Sequence, residues 1–266
     1  MKASLLINTC RQAESLAKVL DSLESQAHLL NEIIVSEDGD DAATAEVMDR
    51  IGSRLPTRVH HVWWPWDGFR LAEVRNRGLR LVTGDYVIQI DGDCVAHPRL
   101  VRDHVAIARP GRFLQGHRAC IAESAVPGFD HRFLTRWRYF LDGRMTGRKV
   151  GFRFAPKLDF NREFACALGC NMGFLMDDLR KVNGYDLDMM GWGGEDYDIA
   201  GRLGLVGVKP LVMDRAGIVY HLDHPRLSKA GATKNYASVD VKLAAGTFRS
   251  TRGLAETSPA HVRHIR

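Results

Sequence analysis

Unbroken apolar runs and helical repeats alternate along the first hundred residues. Leu5-Leu6-Ile7 and Ile33-Ile34-Val35 are runs that fit strands covered on both faces, and between them Leu16, Val19, Leu20 and Leu23 recur at i, i+3, i+4 and i+7. Ala42, Ala45, Met48 and Ile51 lie on one side of a second helix, and Thr83-Gly84 closes a third periodic stretch where a helix stop belongs. The pattern predicts strands over 4–7, 32–36, 59–64 and 86–90, with helices beginning near 16, 42 and 71 between them. Farther on it predicts a helix over 99–108, a strand over 113–116, helices over 177–182 and 195–205, and strands over 208–213 and 218–221. Such alternation is the signature of an α/β fold with a mostly parallel central sheet covered by helices. Residues 122–165 carry no clean period, and neither a repeat nor a long linker divides the chain. One domain with a decorated second half is the economical expectation.

Composition narrows the class without changing it. At 266 residues, 45% apolar and 26% charged, the chain excludes disordered, collagen-like and coiled-coil readings. No apolar run approaches the roughly 18 residues of a membrane span. Met1-Lys2 followed by residues 3–10 is too short and too soon polar for a secretion signal, so the expectation is a cytoplasmic protein. Five cysteines, at 10, 94, 120, 166 and 170, include no C-x-x-C pair and read as free, small buried hydrophobes.

Charge is unevenly placed. Residues 127–163 hold nine Lys/Arg against four acids, and the remainder balances at 28 of each, so the net charge of +5 belongs to this segment. Eight of the aromatic residues lie there too, among them Phe129, Phe133, Trp137, Tyr139, Phe140, Phe152, Phe154 and Phe160. Cations interleaved with rings suit a headgroup interface or a nucleic-acid groove, and a solvated insertion would read the same way.

Three constellations could carry chemistry. Asp91-Gly92-Asp93 directly follows the strand predicted to end at 90, and Glu37-Asp38 follows the strand at 32–36. In an open α/β sheet ligands sit outside the carboxyl ends of strands, so the two acidic turns edge one crevice. Paired carboxylates suit a hard divalent ion bound together with a diphosphate. The second constellation is Gly191-Trp192-Gly193-Gly194-Glu195-Asp196-Tyr197-Asp198. Helix capping explains acids in a first turn but not a tryptophan among three glycines, which fits a wall for a flat sugar ring, with a carboxylate nearby to accept a hydroxyl proton. The third is His221-Leu222-Asp223-His224, where either histidine could join a metal site; spacing does not decide between them. Signatures of Walker-type ATPases, dinucleotide dehydrogenases, zincins and serine hydrolases are missing from the sequence.

Together these residues resemble the family 2 glycosyltransferases of the GT-A fold, with a second half similar to the galactosyltransferase-type carboxyl-terminal region. The motifs that carry the resemblance are Ile7-Asn8-Thr9-Cys10-Arg11, Glu32-Ile33-Ile34-Val35-Ser36-Glu37-Asp38-Gly39-Asp40, Phe69-Arg70 through Arg75-Asn76-Arg77-Gly78, and Gly84-Asp85-Tyr86 through Asp91-Gly92-Asp93-Cys94. Asn183-Gly184-Tyr185-Asp186 and Gly191-Trp192-Gly193-Gly194-Glu195-Asp196 carry it on the acceptor side. The resemblance implies one GT-A domain over 1–226, comprising a nucleotide-sugar half (1–120), the basic aromatic insertion (121–165) and an acceptor and catalytic half (166–226), with an extension over 227–266. It implies nucleotide contacts at Thr9, Asp38, Arg75, Asn76 and Asp91, and metal ligation by Asp93 with His221 or His224, Asp91 facing either the ribose or the metal. It further implies acceptor contacts at Trp192, Gly193 and Glu195, and Asp196 as catalytic base.

The implied reaction is inverting transfer from a nucleotide-diphosphate sugar, taken as a UDP-sugar, with Mn²⁺ or Mg²⁺, onto a glycan or lipid-linked acceptor in cell-surface polysaccharide or lipopolysaccharide synthesis. The segment 127–163 would then meet an anionic membrane surface, making the protein peripheral there, and no nucleic acid is expected. Two other readings stay open at this level: a nucleotidyltransferase on a related sheet, and a non-catalytic binder of nucleic acid or anionic glycans.

Overall fold

A computed structural model describes residues 1–147, 156–164, 167–224 and 232–266. Residues 148–155 of the basic segment, Cys166 and Pro225 lie outside the described residues. The chain opens with β1 (Ala3–Thr9), α1 (Ala13–Leu23), β2 (Glu32–Asp38), α2 (Ala42–Arg50), β3 (Arg58–Trp64), α3 (Leu71–Leu79) and β4 (Tyr86–Asp91). These strands pair in the order β3-β2-β1-β4, all parallel, as the alternation predicts. Alternate residues of one strand face different cores: Leu5, Ile7, Ile33 and Val35 pack with Leu16, Leu20 and Met48, while Leu6, Ile34 and Val87 pack with Leu79, Leu179 and Ile199. Both faces are covered, which is why the strands read as unbroken apolar runs.

Beyond β4 come β5 (Cys94–Ala96), α4 (Leu100–Ile107), β6 (Arg112–Gln115), β7 (His117–Ile121), α5 (Phe133–Leu141), β8 (Met145–Thr146) and β9 (Lys157–Asp159). They are followed by β10 (Asn171–Leu175), α6 (Met176–Lys181), α7 (Glu195–Leu205), β11 (Lys209–Asp214), β12 (Ile218–Leu222), α8 (Ala232–Ala244) and β13 (His261–His264). The large sheet runs β13-β3-β2-β1-β4-β10-β6-β11-β9. In this half of the large sheet β6 and β11 pair in parallel, β10 lies antiparallel between β4 and β6, and β9 and β13 are antiparallel edges, so the sheet is mixed. A smaller sheet, β5-β12-β7-β8, stands at the end of the large one where β4 finishes.

Segment 122–165 does hold a helix. Its period is hidden because α5 carries rings on both sides: Tyr139 is buried against the core, while Phe133 and Trp137 are exposed. Past residue 231, α8 packs on α7 through Val239 and Leu243, and β13 extends the large sheet at β3.

Candidate active site

The carboxyl ends of β1, β2 and β4 converge with β12 on a cleft of about 520 Å³, lined by Thr9, Asp38, Asp91, Asp93, Trp192, His221 and His224 among others. The strand ends set the floor. Thr9 closes β1, and its Oγ1, like the neighbouring Asn8 Oδ1, is buried without a hydrogen-bond partner. Orphaned polar atoms at a cleft wall are where a polar ligand recovers hydrogen bonds. Gly92 lies tight against this floor: its N–H donates to Asn8 O at 2.6 Å, and a Cβ there would stand 2.8 Å from the Thr9 side chain. Asp38 closes β2 and accepts from the Arg70 N–H at 3.0 Å; burial nonetheless holds its carboxyl above the usual range.

The metal candidates meet at one point. Asp93 Oδ2 lies 3.0 Å from His224 Nε2 and 3.7 Å from His221 Nε2. One ligand atom from each of the three lies within 4.8 Å of the others, the dimension of a shared ion. Burial pushes Asp93 up, but the hydrogen bond from His224 and the two imidazoles outweigh it and keep the carboxyl low and ionised. Burial also lowers His221, favouring the neutral imidazole that ligates. The donor set therefore fits a divalent ion, and both histidines reach the same carboxylate. Asp91 stands apart from this trio, with Oδ1 3.7 Å from Arg75 Nη2. Burial raises it to about 7, with Arg75 pulling the other way and Asp93, Glu195 and Asp196 adding to the rise.

The start of α7 hangs on Arg75. This wholly buried guanidinium donates from Nη1 to Glu195 Oε1 at 3.0 Å and lies over the Tyr185 ring at 5.0 Å. Tyr185 donates its hydroxyl to Gln89 Oε1 (3.0 Å), Gln89 Nε2 donates to Gly169 O (2.8 Å), and Gly169 N donates to Asp196 Oδ2 (3.0 Å). A Cβ at Gly169 would fall 2.3 Å from Arg75 Nη2, so only glycine lets the backbone pass the guanidinium. Asp196 Oδ1 also accepts from the Tyr197 N–H at 2.9 Å, which fixes both carboxylate oxygens at the start of α7. Ahead of it, Gly193 (φ +92) and Gly194 (φ +100) make a left-handed turn that Asn235 of α8 clamps, donating to Gly193 O at 2.7 Å and Met190 O at 3.1 Å.

Seven of the residues singled out in the sequence thus surround one cleft. Arg75 joins it through Asp91 and carries Glu195, Asp196 is tied to the same network through Gly169 and Gln89, and Gly193 sits in the clamped turn rather than in the lining. Asn76 is not brought to the cleft: fully buried, it exchanges both hydrogen bonds with the Tyr185 backbone, accepting at 2.9 Å and donating at 2.8 Å. Arg118 and Thr146 line the cleft without having been singled out, and no spacing flags them; Asp223, from the third constellation, and Cys120, half-buried here rather than a core hydrophobe, line it too. Gln89 and Gly169 stand in none of the motifs and Tyr185 stands in one without an assigned role, yet a glutamine inside the apolar strand Tyr86–Asp91 is a signal that could have found the first of them.

The sequence model described as glycosyl transferase family 2 matches residues 4–182, and one described as N-terminal domain of galactosyltransferase matches 150–225. Validoxylamine A glucosyltransferase of Streptomyces hygroscopicus subsp. jinggangensis is 26% identical over 89% of the chain, which spans 59% of that relative's length. Chondroitin synthase of Escherichia coli is 24% identical over 84% of the chain and is matched over 35% of its own length. In fold, the chain is similar to S. aureus TarS 1-349 in complex with UDP, with a TM-score of 0.67, 14% identity and coverage of 97% and 68% of the two chains. It is likewise similar to mannosyltransferase PcManGT from Pyrobaculum calidifontis in complex with GDP-Man and Mn²⁺, with a TM-score of 0.58, 16% identity and coverage of 95% and 65%. With its GT-A architecture and a family match over most of its length, this chain belongs to glycosyl transferase family 2.

Proposed function

We propose that this chain is an inverting, divalent-metal-dependent glycosyltransferase. It would take a nucleotide-diphosphate sugar, a UDP-sugar first, and glycosylate a hydroxyl of a glycan or lipid-linked acceptor in cell-surface polysaccharide or lipopolysaccharide synthesis, at the cytoplasmic face of an anionic membrane. The observation that carries this reading is the Asp93, His221 and His224 trio in the same cleft as Asp38 and the orphaned Thr9 hydroxyl. Asp38 and Thr9, at the ends of β2 and β1, bind and orient the nucleoside. A divalent ion held by Asp93, His221 and His224 supplies positive charge to the diphosphate oxygens when bound, and two imidazoles beside one carboxylate favour Mn²⁺ over Mg²⁺. Trp192, half-exposed at the cleft wall, offers a flat apolar surface to a sugar face. Asp196, its two oxygens aimed by the Gly169 and Tyr197 amides, takes the acceptor hydroxyl proton, and attack opposite the departing diphosphate inverts the anomeric centre.

Calorimetric titration of UDP and then GDP, with and without Mn²⁺, tests the reading. Binding of one nucleotide that needs both Mn²⁺ and Asp93, and is lost in Asp93→Ala, is the expected result. Failure of both nucleotides to bind with any divalent metal overturns it.

A further inference from the structure

The active cleft leaves α5 unexplained. Its inner side is built into the fold: Arg136 Nη1 donates to the Tyr220 hydroxyl at 3.0 Å, and the Tyr139 hydroxyl donates to Ala125 O at 2.9 Å. Phe129 packs between the Tyr139 and Tyr220 rings at 5.3 and 5.6 Å, and Lys18 Nζ holds the carbonyls of Pro127 and Phe129 at 3.1 and 2.9 Å. The outer side is apolar and open, with Leu134 78%, Leu141 63%, Phe133 61% and Trp137 45% exposed. Positions 134, 137 and 141 share one helix face by their spacing. The Phe133, Trp137 and Phe140 rings stack in series, with centroids 6.4 and 5.9 Å apart. A helix that turns Leu134, Leu141 and Phe133 this far into water offers an apolar surface a partner can cover.

We propose that α5 seats this chain on an anionic lipid surface. Charge selects the sign of that partner: Arg132 and Arg138 flank the apolar face exposed, and the whole net charge of +5 falls within 127–163. Side-chain type selects its chemistry. A polynucleotide would use the arginines and rings but leave Leu134 and Leu141 in water, whereas a bilayer interface takes leucine, phenylalanine and tryptophan into the acyl boundary and leaves arginine among the headgroups. The helix also adjoins the cleft. Tyr220, which braces Arg136, precedes His221, and Thr146, in the strand after α5, lines the cleft. Resting here on the glycosyltransferase reading, a lipid-linked acceptor in the same surface would be presented to the cleft without leaving the membrane.

The test is sedimentation of the intact chain with phosphatidylcholine vesicles, with and without phosphatidylglycerol, at low and high salt. Pelleting is expected with the anionic vesicles at low salt only. Leu134→Gln/Trp137→Gln should weaken it by about tenfold or more, and Arg138→Gln by about fivefold. All three side chains are exposed, so the thermal unfolding midpoint should stay at the wild-type value and mark the variants as folded. Lack of pelleting with anionic vesicles, equal pelleting with neutral ones, or a double variant that pellets like wild type overturns the proposal. Salt-sensitive RNA retention that survives the double substitution, with vesicles ignored, reassigns the face to nucleic acid. No nucleotide enters this assay and no vesicle enters the nucleotide titration, so either proposal can fail alone.

Discussion

Asp196 and Arg75, at the scale of single residues, differ in what a substitution should reveal. Asp196 has its oxygens fixed by two backbone amides, and on the proposed role of general base Asp196→Asn should retain nucleotide binding while kcat falls by about 10² to 10⁴, the usual share of such a group. Initial rates and a parallel nucleotide titration measure the two effects, and turnover at the wild-type rate would remove Asp196 from the reaction. Arg75 is different in kind. Burial works against its charge, but Tyr185, Glu195 and Asp91 together hold it charged, and Arg75→Met would leave the Glu195 carboxylate buried without its partner. Breaking such a pair costs about 3–5 kcal/mol, whereas replacing both members by apolar groups is often close to neutral. Urea unfolding should therefore show Arg75→Met strongly destabilised and Arg75→Met/Glu195→Met restored toward wild type. The identities of these residues were legible in the sequence, since the Gly-Trp-Gly-Gly-Glu-Asp run and the Asp91-Gly92-Asp93 turn stand out from ordinary capping. Their pairing was not, because Arg75 on α3 and Glu195 on α7 lie 120 residues apart and meet only in the tertiary fold, and no local spacing encodes a contact at that separation.

Elements reveal the same boundary between local and non-local information. Strands β1 to β4 and helices α1 to α3 announce themselves through two-sided burial and clean helical repeats. By contrast β10 carries Asn171 and Gly173, which β propensity disfavours, and it forms because β4 and β6 pair with it on either side. The helix α8 is similarly a product of its packing: Ala232, Asn235 and Val239 are its buried residues, a sparse face for thirteen positions. That helix has a duty toward the site, because Asn235 clamps the turn at Gly193. Asn235→Ala removes two hydrogen bonds at net values of about 1 kcal/mol each, so the apparent affinity for the acceptor should fall by roughly tenfold or more. Nucleotide affinity should stay unchanged, since the proposed donor contacts lie on β1, β2 and β4. Steady-state kinetics with donor and acceptor varied separately distinguish this from general loosening, which would weaken both.

Across the whole molecule, the two sheets are fastened by a buried polar junction that no motif foretells. Asn171 of β10 donates from Nδ2 to His117 O of β7 at 3.1 Å and to Gly217 O, ahead of β12, at 2.6 Å. Its Oδ1 is thus left to accept from His104 Nε2 at 3.1 Å, and His104 Nδ1, then unprotonated, accepts from the Tyr86 hydroxyl at 3.0 Å. The junction holds β12, which carries His221, in place against β4, which ends beside Asp93. Burial lowers His104 to about 4, with Asn171 and Asp103 pulling it only part of the way back. The unfolded chain, with this histidine near 6.5, binds more protons than the folded one between those two values, so stability rises with pH across that window. The contribution is complete above about 6.5 and is lost as pH falls toward 4; by pH 5 about 2 kcal/mol of it is gone. Urea unfolding at pH 7.5 and pH 5 should show His104→Gln losing less stability between the two conditions than wild type by about that amount. Because His60, His117 and His131 are also lowered by burial, the wild-type slope contains more than one histidine, and the difference between variant and wild type isolates His104. An identical pH slope in the two proteins would mean that His104 accepts a proton in the folded state without disturbing Tyr86 and Asn171, and the junction would then owe its rigidity to packing rather than to a fixed tautomer.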